Sequence, residues 1–229
     1  MLLAVPSLLS PDQVAEVRRL IDSGRWEDGK GTAGRQSALA KRNRQVAADC
    51  ARGREARAII TAALQADGLF MSAALPKAIF PPLFNRYDGA EGHAFGNHVD
   101  NAIRFLPDGS GSIRTDLSAT LFLSAPDDYE GGELVIEDSY GAHEVKLAAG
   151  DMVLYPSTSL HRVEPVTKGS RIASFFWIES RVRDDAQRTI LLDMDAAIRS
   201  LALELGDDKA EVVALTGCYH NLLRQWASG

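Results

Sequence analysis

Between Ser10 and Gly24 the apolar residues Val14, Val17, Leu20 and Ile21 recur at helical spacing. The run opens on Ser10-Pro11-Asp12-Gln13, where serine caps, proline fills the first helical position and glutamine closes a capping box. Gly24 stops it. A second helix is predicted over Arg54 to Ala66, with Ala58, Ile59, Ala62 and Ala63 as its inner face. From about Lys77 the texture changes to short β-type runs between turn residues. Ile79 to Phe84 is interrupted by Pro81-Pro82, which reads as an edge strand or a bend. Leu117 to Leu123, Glu133 to Ile136, Glu144 to Leu147, Met152 to Tyr155, His161 to Val163 and Ile172 to Ile178 follow. After Ser180 the helical period returns twice, over Asp184 to Leu205 with Gly206 as its stop and over Asp208 to Trp226.

This order predicts a mainly β protein with flanking helices, its core a sandwich or barrel. The N-terminal helices fall at about 10–66 and the β core at about 77–180, together one domain over 1–180. The helical subdomain covers 181–229. Two helices joined by a short loop cannot bury both their apolar faces. The pair therefore docks on the β core or on a neighbouring subunit, the second case making a homo-oligomer.

The 229 residues are 45% hydrophobic and 24% charged, enough to bury a core without disulfides or structural zinc. Cys50 and Cys218 match no metal or redox spacing and read as reduced thiols. Met1 to Leu9 is apolar but short, lacks a basic flank and runs straight into helix-start chemistry, which argues against a signal peptide. No apolar run is long enough to span a bilayer. The expected compartment is the cytoplasm, with no membrane partner. A net charge of −6 argues against nucleic acid as a partner. Residues 1–57 nevertheless hold eleven Lys/Arg against seven Asp/Glu, with a knot at Lys41-Arg42-Asn43-Arg44. That knot is either a solvated loop and helix face or a basic rim steering an anionic substrate. Gly29 to Gly34 reads as a flexible loop without phosphate-loop chemistry.

The chemistry centres on His98-Val99-Asp100. On a strand, residues i and i+2 share a face, so both side chains reach one metal. His161, opening another strand, supplies a distant third ligand. Two imidazoles and one carboxylate leave open positions, as non-haem Fe(II) oxygenases require. Arg171 lies ten positions after His161, across Val166-Thr167-Lys168-Gly169. A hairpin turn there would set His161 and Arg171 on adjacent strands, with the guanidinium ready to hold the distal carboxylate of 2-oxoglutarate. Taken alone, such an arginine reads as a structural ion pair at a strand start; taken with this spacing, it reads as the co-substrate anchor.

The ordered set His98-x-Asp100, His161, Arg171 resembles the Fe(II)/2-oxoglutarate-dependent dioxygenases, in their prolyl-4-hydroxylase-like branch. Asn85-Arg86-Tyr87-Asp88-Gly89, Tyr129-Glu130-Gly131-Gly132-Glu133-Leu134, Gly150-Asp151, Tyr155-Pro156 and Leu160-His161-Arg162-Val163 add to the likeness. With Thr32-Ala33-Gly34 and Lys41-Arg42-Asn43-Arg44-Gln45, nearly the whole chain is similar to the PKHD-type hydroxylases. The resemblance implies a double-stranded β-helix (jelly-roll) core, Fe(II), 2-oxoglutarate, O2 and L-ascorbate. It further implies oxidation of an unidentified small-molecule or peptide substrate with release of succinate and CO2, and a link to iron uptake or siderophore metabolism. It sets His98, Asp100 and His161 on the metal, Arg171 on the co-substrate and Tyr87 near the same carboxylate. Arg42 departs from the family's Lys-Asn-Asn.

His93 reads as a solvated loop histidine, and His143 and His220 as structural. Ala173, Phe175 and Trp177 share parity with Arg171 and face the same interior. Asp127-Asp128 and Asp184-Asp185 read as caps rather than glycosidase acids. Asp100 fills the position a halogenase keeps vacant for halide. The remaining alternative is a non-catalytic cupin-like metal-binding or sensor module, which leaves Arg171 without a use.

Overall fold

The computed structural model describes residues 1–32 and 34–228; Ala33, part of the Thr32-Ala33-Gly34 stretch, lies outside the described residues. Ser10 Oγ accepts from the Gln13 N–H at 3.2 Å, and the Gln13 side chain accepts from the Ser10 N–H at 2.9 Å. This capping box starts helix α1, Pro11–Asp22. Helix α2 is a short Ser37–Ala40. Helix α3 spans Ala51–Ala66 and buries Gly53, Ala56, Ile60 and Leu64. Ala58 and Ala62, assigned to its inner face, are exposed, and Ile59 and Ala63 are half-buried. Alanine rings this helix and blurs its stripe, so the i, i+4 pair Ile60 and Leu64 decides which side faces the core. Helix α4, Gly68–Ala74, had no counterpart among the expected elements. Asp67 caps it by accepting from the Phe70 N–H at 2.7 Å.

Two antiparallel sheets face each other. The larger runs in the order Leu3–Val5, Met152–Pro156, Leu117–Phe122, Val166–Ser180, Leu83–Asp88, Arg44–Val46, Trp26–Asp28. Tyr129–Gly131 and Pro76–Ile79 add to the two ends of its long strand. The smaller runs Gly141–Val145, Leu134–Asp138, Leu160–Val163, Ala94–His98, Lys41–Arg42. A separate ribbon pairs Ile103–Phe105 with Ser112–Arg114. Leu117–Phe122 is buried along its whole length because both its faces are covered. Leu117, Ala119 and Leu121 join Val17, Leu20, Ile60, Leu64 and Phe70 of the helices in the largest apolar cluster. Phe122, on the other face, meets Leu134, Ile136 and Val163 of the smaller sheet. The core is thus one helical layer on two stacked sheets, with the sheet interior left for the site.

Three expectations change. The N-terminal segment is not only helical: it adds strands to both sheets, and the basic knot is strand, alternating buried Lys41, Asn43 and Gln45 with exposed Arg42 and Arg44. Of the two readings of Pro81-Pro82 the bend holds and the edge strand does not: the pair lies between two strands, and Leu83–Asp88 is an interior strand. Val166 to Gly169 is no turn; it begins the strand Val166–Ser180, and the chain crosses from the smaller sheet to the larger at Glu164-Pro165. Gly169, at φ +70°, serves a close approach instead, since a Cβ there would come 2.1 Å from the Asp128 carbonyl oxygen.

Helix α5, Asp185–Leu205, and helix α6, Ala210–Trp226, form the C-terminal pair. Helix α5 packs on α4, and its Leu192 meets the apolar cluster between the helical layer and the outer face of the larger sheet. Ser72 donates to Asp195 at 2.7 Å, Leu191 is fully buried, and the buried Arg188 donates to the Val182 and Arg183 carbonyls. Leu203 and Val213 stay exposed. Among the described residues no helix is long and apolar enough to cross a membrane.

Gly169→Ala is expected to destabilise the protein by about 1–3 kcal/mol, because alanine meets both the positive φ and the Asp128 carbonyl. Urea denaturation reads this; an unchanged midpoint would mean that the Tyr129–Gly131 pairing yields without cost.

Candidate active site

His98 and His161 are partners across the antiparallel pair formed by Ala94–His98 and Leu160–Val163, with ring centroids 4.2 Å apart. The strand ends at His98, so Asp100 lies just beyond it rather than on it. Its carboxylate still reaches 3.7 Å from His161 Nε2, and one donor atom from each of the three residues falls within 4.8 Å of the others. Both imidazoles are held through Nδ1. His98 Nδ1 donates to the Gly96 carbonyl at 2.9 Å and His161 Nδ1 to the Ser159 carbonyl at 3.0 Å. A carbonyl only accepts, so each Nδ1 carries the proton and each Nε2 lone pair is free for a metal. Phe95 stacks on His98 at 3.6 Å between centroids, and Tyr155 meets His161 edge-on at 5.2 Å. Ser118 donates to Asp100 Oδ2 at 2.6 Å and lies 2.7 Å from the Ser157 hydroxyl. Burial, and then the neighbouring His161, hold His98 well below the usual histidine range, so it is neutral near pH 7. Two imidazoles presenting Nε2 and a carboxylate suit a divalent iron.

Arg171 and Tyr87 are cross-strand partners on the larger sheet, and both line the same cavity as the triad. Arg171 is 1% exposed. Its guanidinium lies 5.5 Å from the Tyr87 ring centroid and 5.3 Å from that of Phe122. Its Nε has no hydrogen-bond partner, and among the described residues no carboxylate is within ion-pairing distance. The structural ion pair weighed for this arginine is absent from the described residues. His161 and Arg171 stand on opposite sheets, not on adjacent strands, and face one cavity from two sides. Burial pushes the Tyr87 phenol up to about 12.

The tight double glycine before Glu133 belongs to this wall. Gly131 and Gly132 have φ of +72° and +70°. A Cβ on Gly131 would come 2.1 Å from the Pro165 carbonyl oxygen, and one on Gly132 would come 2.8 Å from Val166 Cγ2 and 3.2 Å from Arg171 Cδ. Glycine lets the chain pass beside Arg171.

Other expectations meet the structure with mixed results. Phe175 and Trp177 line the cavity with Arg171, as their parity requires, and Ala173 is buried. His93 is not solvated: it is buried, accepts from the Asp88 N–H at 3.1 Å and lies 3.0 Å from Glu91. It lies outside the cavity lining, as do His143, 3.0 Å from Asp138, and the exposed His220. Asp128 and Asp184 act as caps, accepting from the Ala125 and Gln187 N–H groups. Arg104 and Ser118 line the cavity without having been singled out for its chemistry, and so does Lys41, the inward residue of the basic knot, together with Tyr155. Ser118 had a signal: with Thr120 it is polar on one face of an otherwise apolar strand.

Comparison with known proteins defines the class. Residues 82–179 match the 2OG-Fe(II) oxygenase superfamily, and residues 185–228 match the PKHD-type hydroxylase C-terminal domain. A prolyl-4-hydroxylase from Pseudomonas putida superposes with a TM-score of 0.51 at 22% identity, over 79% of this chain and 92% of that one. A prolyl hydroxylase from Trichoplax adhaerens, solved with a hypoxia inducible factor peptide fragment, gives 0.58 at 17% identity, over 83% and 86%. The fold is therefore the jelly roll of 2-oxoglutarate oxygenases. A PKHD-type hydroxylase of Phenylobacterium zucineum is 58% identical over 227 residues, 99% of both chains, and one of Burkholderia thailandensis is 57% identical over the same span. This chain belongs to the PKHD-type hydroxylases, and with that family come dependence on Fe(II) and 2-oxoglutarate.

Ser118→Ala is expected to weaken Fe(II) affinity about 10–100-fold without unfolding the chain, because the Asp100 carboxylate loses the donor that orients it. Chelator competition measures this; wild-type affinity would remove Ser118 from that role. The pH response follows from His98. Its basicity is depressed in the fold and restored on unfolding, so the unfolded chain binds the extra proton. Metal-free protein should therefore lose stability as pH falls below about 6.5, the ordinary histidine value. His98→Gln should flatten that loss in denaturation midpoints, and an unchanged slope would assign it to other groups.

Proposed function

We propose that this hydroxylase binds Fe(II) through His98, Asp100 and His161 and 2-oxoglutarate through Arg171 and Tyr87. It oxidises a small-molecule or peptide substrate with O2, releasing succinate and CO2, with L-ascorbate keeping the iron reduced. The observation that carries this reading is the buried guanidinium, which has no acidic partner among the described residues. A fully buried cation without a counter-charge costs several kcal/mol, and flanking rings return only about 0.5–2 of that. A dicarboxylate entering the cavity supplies the missing anion.

The residues divide the work. His98 and His161 offer Nε2 because their Nδ1 protons are committed to backbone carbonyls. Asp100 presents a carboxylate held by Ser118, in the chain of hydroxyls that includes Ser157. Arg171 orients one end of the co-substrate. Tyr87, kept neutral by burial, remains a hydroxyl donor beside it. Phe95, Phe175 and Trp177 exclude water from the space in front. Bound iron supplies the oxygen-activating redox chemistry, which no side chain here provides. The helical subdomain proposed over 181–229 buttresses the fold, and none of its described residues lines the cavity. A non-catalytic cupin-like module would share the jelly roll and the metal, yet would have no use for Arg171.

Arg171→Ala is expected to weaken 2-oxoglutarate binding by about 2–5 kcal/mol while leaving Fe(II) affinity nearly intact. Asp100→Ala should abolish one-to-one iron binding. Anaerobic absorption spectra of the Fe(II) protein titrated with 2-oxoglutarate read both, through the metal-to-keto-acid charge-transfer band. Full co-substrate affinity in Arg171→Ala, or full iron affinity in Asp100→Ala, would sink the assignment.

A further inference from the structure

The cavity holds two more cations that the reaction just described does not use. Lys41 is 3% exposed and donates through Nζ to Thr32 Oγ1 at 2.9 Å. Arg104 donates through Nη1 to the Thr32 carbonyl at 2.9 Å. Both therefore converge on one residue, from different directions: Lys41 from the edge strand of the smaller sheet, Arg104 from the two-stranded ribbon. Aromatic faces support each. The Arg104 guanidinium lies 3.9 Å from the Trp177 centroid, and Lys41 Nζ lies 5.1 Å from that of Phe95 and 5.6 Å from that of Phe175. Among the described residues neither has a carboxylate within ion-pairing distance. Asp100 acts on both only at longer range, as Asp28 does on Lys41.

Aromatic faces offset only part of the cost of taking an ammonium and a guanidinium out of water, and the two cations repel each other. The charge of the reacting centre does not help. On the proposed reading, an iron dication with Asp100 leaves one positive charge, which joins that of Arg171. The two carboxylates of 2-oxoglutarate cancel both. Arg104 then remains an uncompensated charge of the cavity, and Lys41, which burial lowers to about 7, regains its full charge only beside an anion.

We infer that Lys41 and Arg104 form an anion subsite for the primary substrate, which carries a carboxylate or phosphate group on an apolar body. The apolar body follows from the walls: Phe95, Val99, Phe175 and Trp177 line the same cavity, and Val99 is 48% exposed at its opening. Arg42, on the solvent side of the same strand, takes no part. The basic knot thus works through its one inward lysine rather than as a diffuse rim. The inference rests on the co-substrate reading, because it needs the Arg171 position to be occupied already.

Calorimetric titration tests it with full-length protein loaded with Mn(II) and saturating 2-oxoglutarate. The probes are phenylacetate, benzyl phosphate and phenylacetamide. At least one anion should bind at least about tenfold more tightly than the amide, and whichever does so names the group. Lys41→Met and Arg104→Met should each lose about tenfold or more in anion affinity while leaving the amide unchanged, and Lys41→Arg should retain most of it. Circular dichroism checks that each variant is folded, and a Met variant that fails is replaced by Lys41→Gln or Arg104→Gln. Equal binding of anion and amide, no binding of either anion, or full affinity in the variants overturns the subsite. Anion binding only when 2-oxoglutarate is omitted also overturns it, by assigning the anion to Arg171. The charge-transfer band of Fe(II) with 2-oxoglutarate, recorded for the same variants, separates the two readings. A normal band with no anion binding sinks the subsite alone, and no band in wild-type protein sinks the co-substrate reading itself.

Discussion

Keeping the Arg171 guanidinium inside the protein without an acidic neighbour sets the terms for everything around it. An unpaired buried charge is among the least favourable features a fold can carry, so the surroundings must hold it firmly. The strand that bears it, Val166–Ser180, pairs with four others along its length. Tyr87 and Phe122 flank the side chain, and the double glycine passes beside it where a Cβ would not fit. The stability that tolerates this comes from the opposite face of the same sheet. There Ile172, Phe176 and Ile178 pack with the helices in the largest apolar cluster. One face of the strand stabilises the fold and the other holds the charge.

The two sheets bring different chemistry to the space between them. The smaller sheet fixes the imidazoles, whose separation follows from their direct pairing across an antiparallel ladder. The larger sheet fixes the guanidinium by the same kind of register, opposite Tyr87. Asp100 belongs to neither strand and is oriented by Ser118, across the gap. The geometry of the triad therefore depends on how the sheets stack, not only on the loop that carries the acid. Small polar residues such as Ser118 and Thr120 lie where apolar ones would pack better, a local departure of the kind that marks functional sites.

The N-terminal segment completes the cavity. Its strands add to the edges of both sheets, and its alternation turns Lys41 inward and Arg42 out. The departure from the Lys-Asn-Asn pattern thus falls on the solvent side, away from the lining. The C-terminal pair stands apart from this chemistry, resting on the helical layer through Leu191, Arg188 and the Ser72–Asp195 hydrogen bond.

What the sequence determined by itself was local or carried by ordered motifs. The capping box at Ser10, the stops at Gly24 and Gly206, most strands after Lys77 and the meeting of His98, Asp100, His161 and Arg171 at one cavity were legible, because each depends on neighbouring residues or on a resemblance in fixed order. Tertiary structure alone decided which sheet each strand joined. Residues 160–163 and 166–180 read as one hairpin, yet two residues between them carry the chain from one sheet to the other. Alternation records which face of a strand is buried and says nothing about its neighbours. Gly169 could equally mark a turn or a close approach, and only the Asp128 carbonyl beside it selects the second. The meeting of Ser118 with Asp100, and of Lys41 and Arg104 at Thr32, joins residues that stand on different strands and loops. Such contacts form only once two sheets and a ribbon have packed, and no spacing along the chain encodes them.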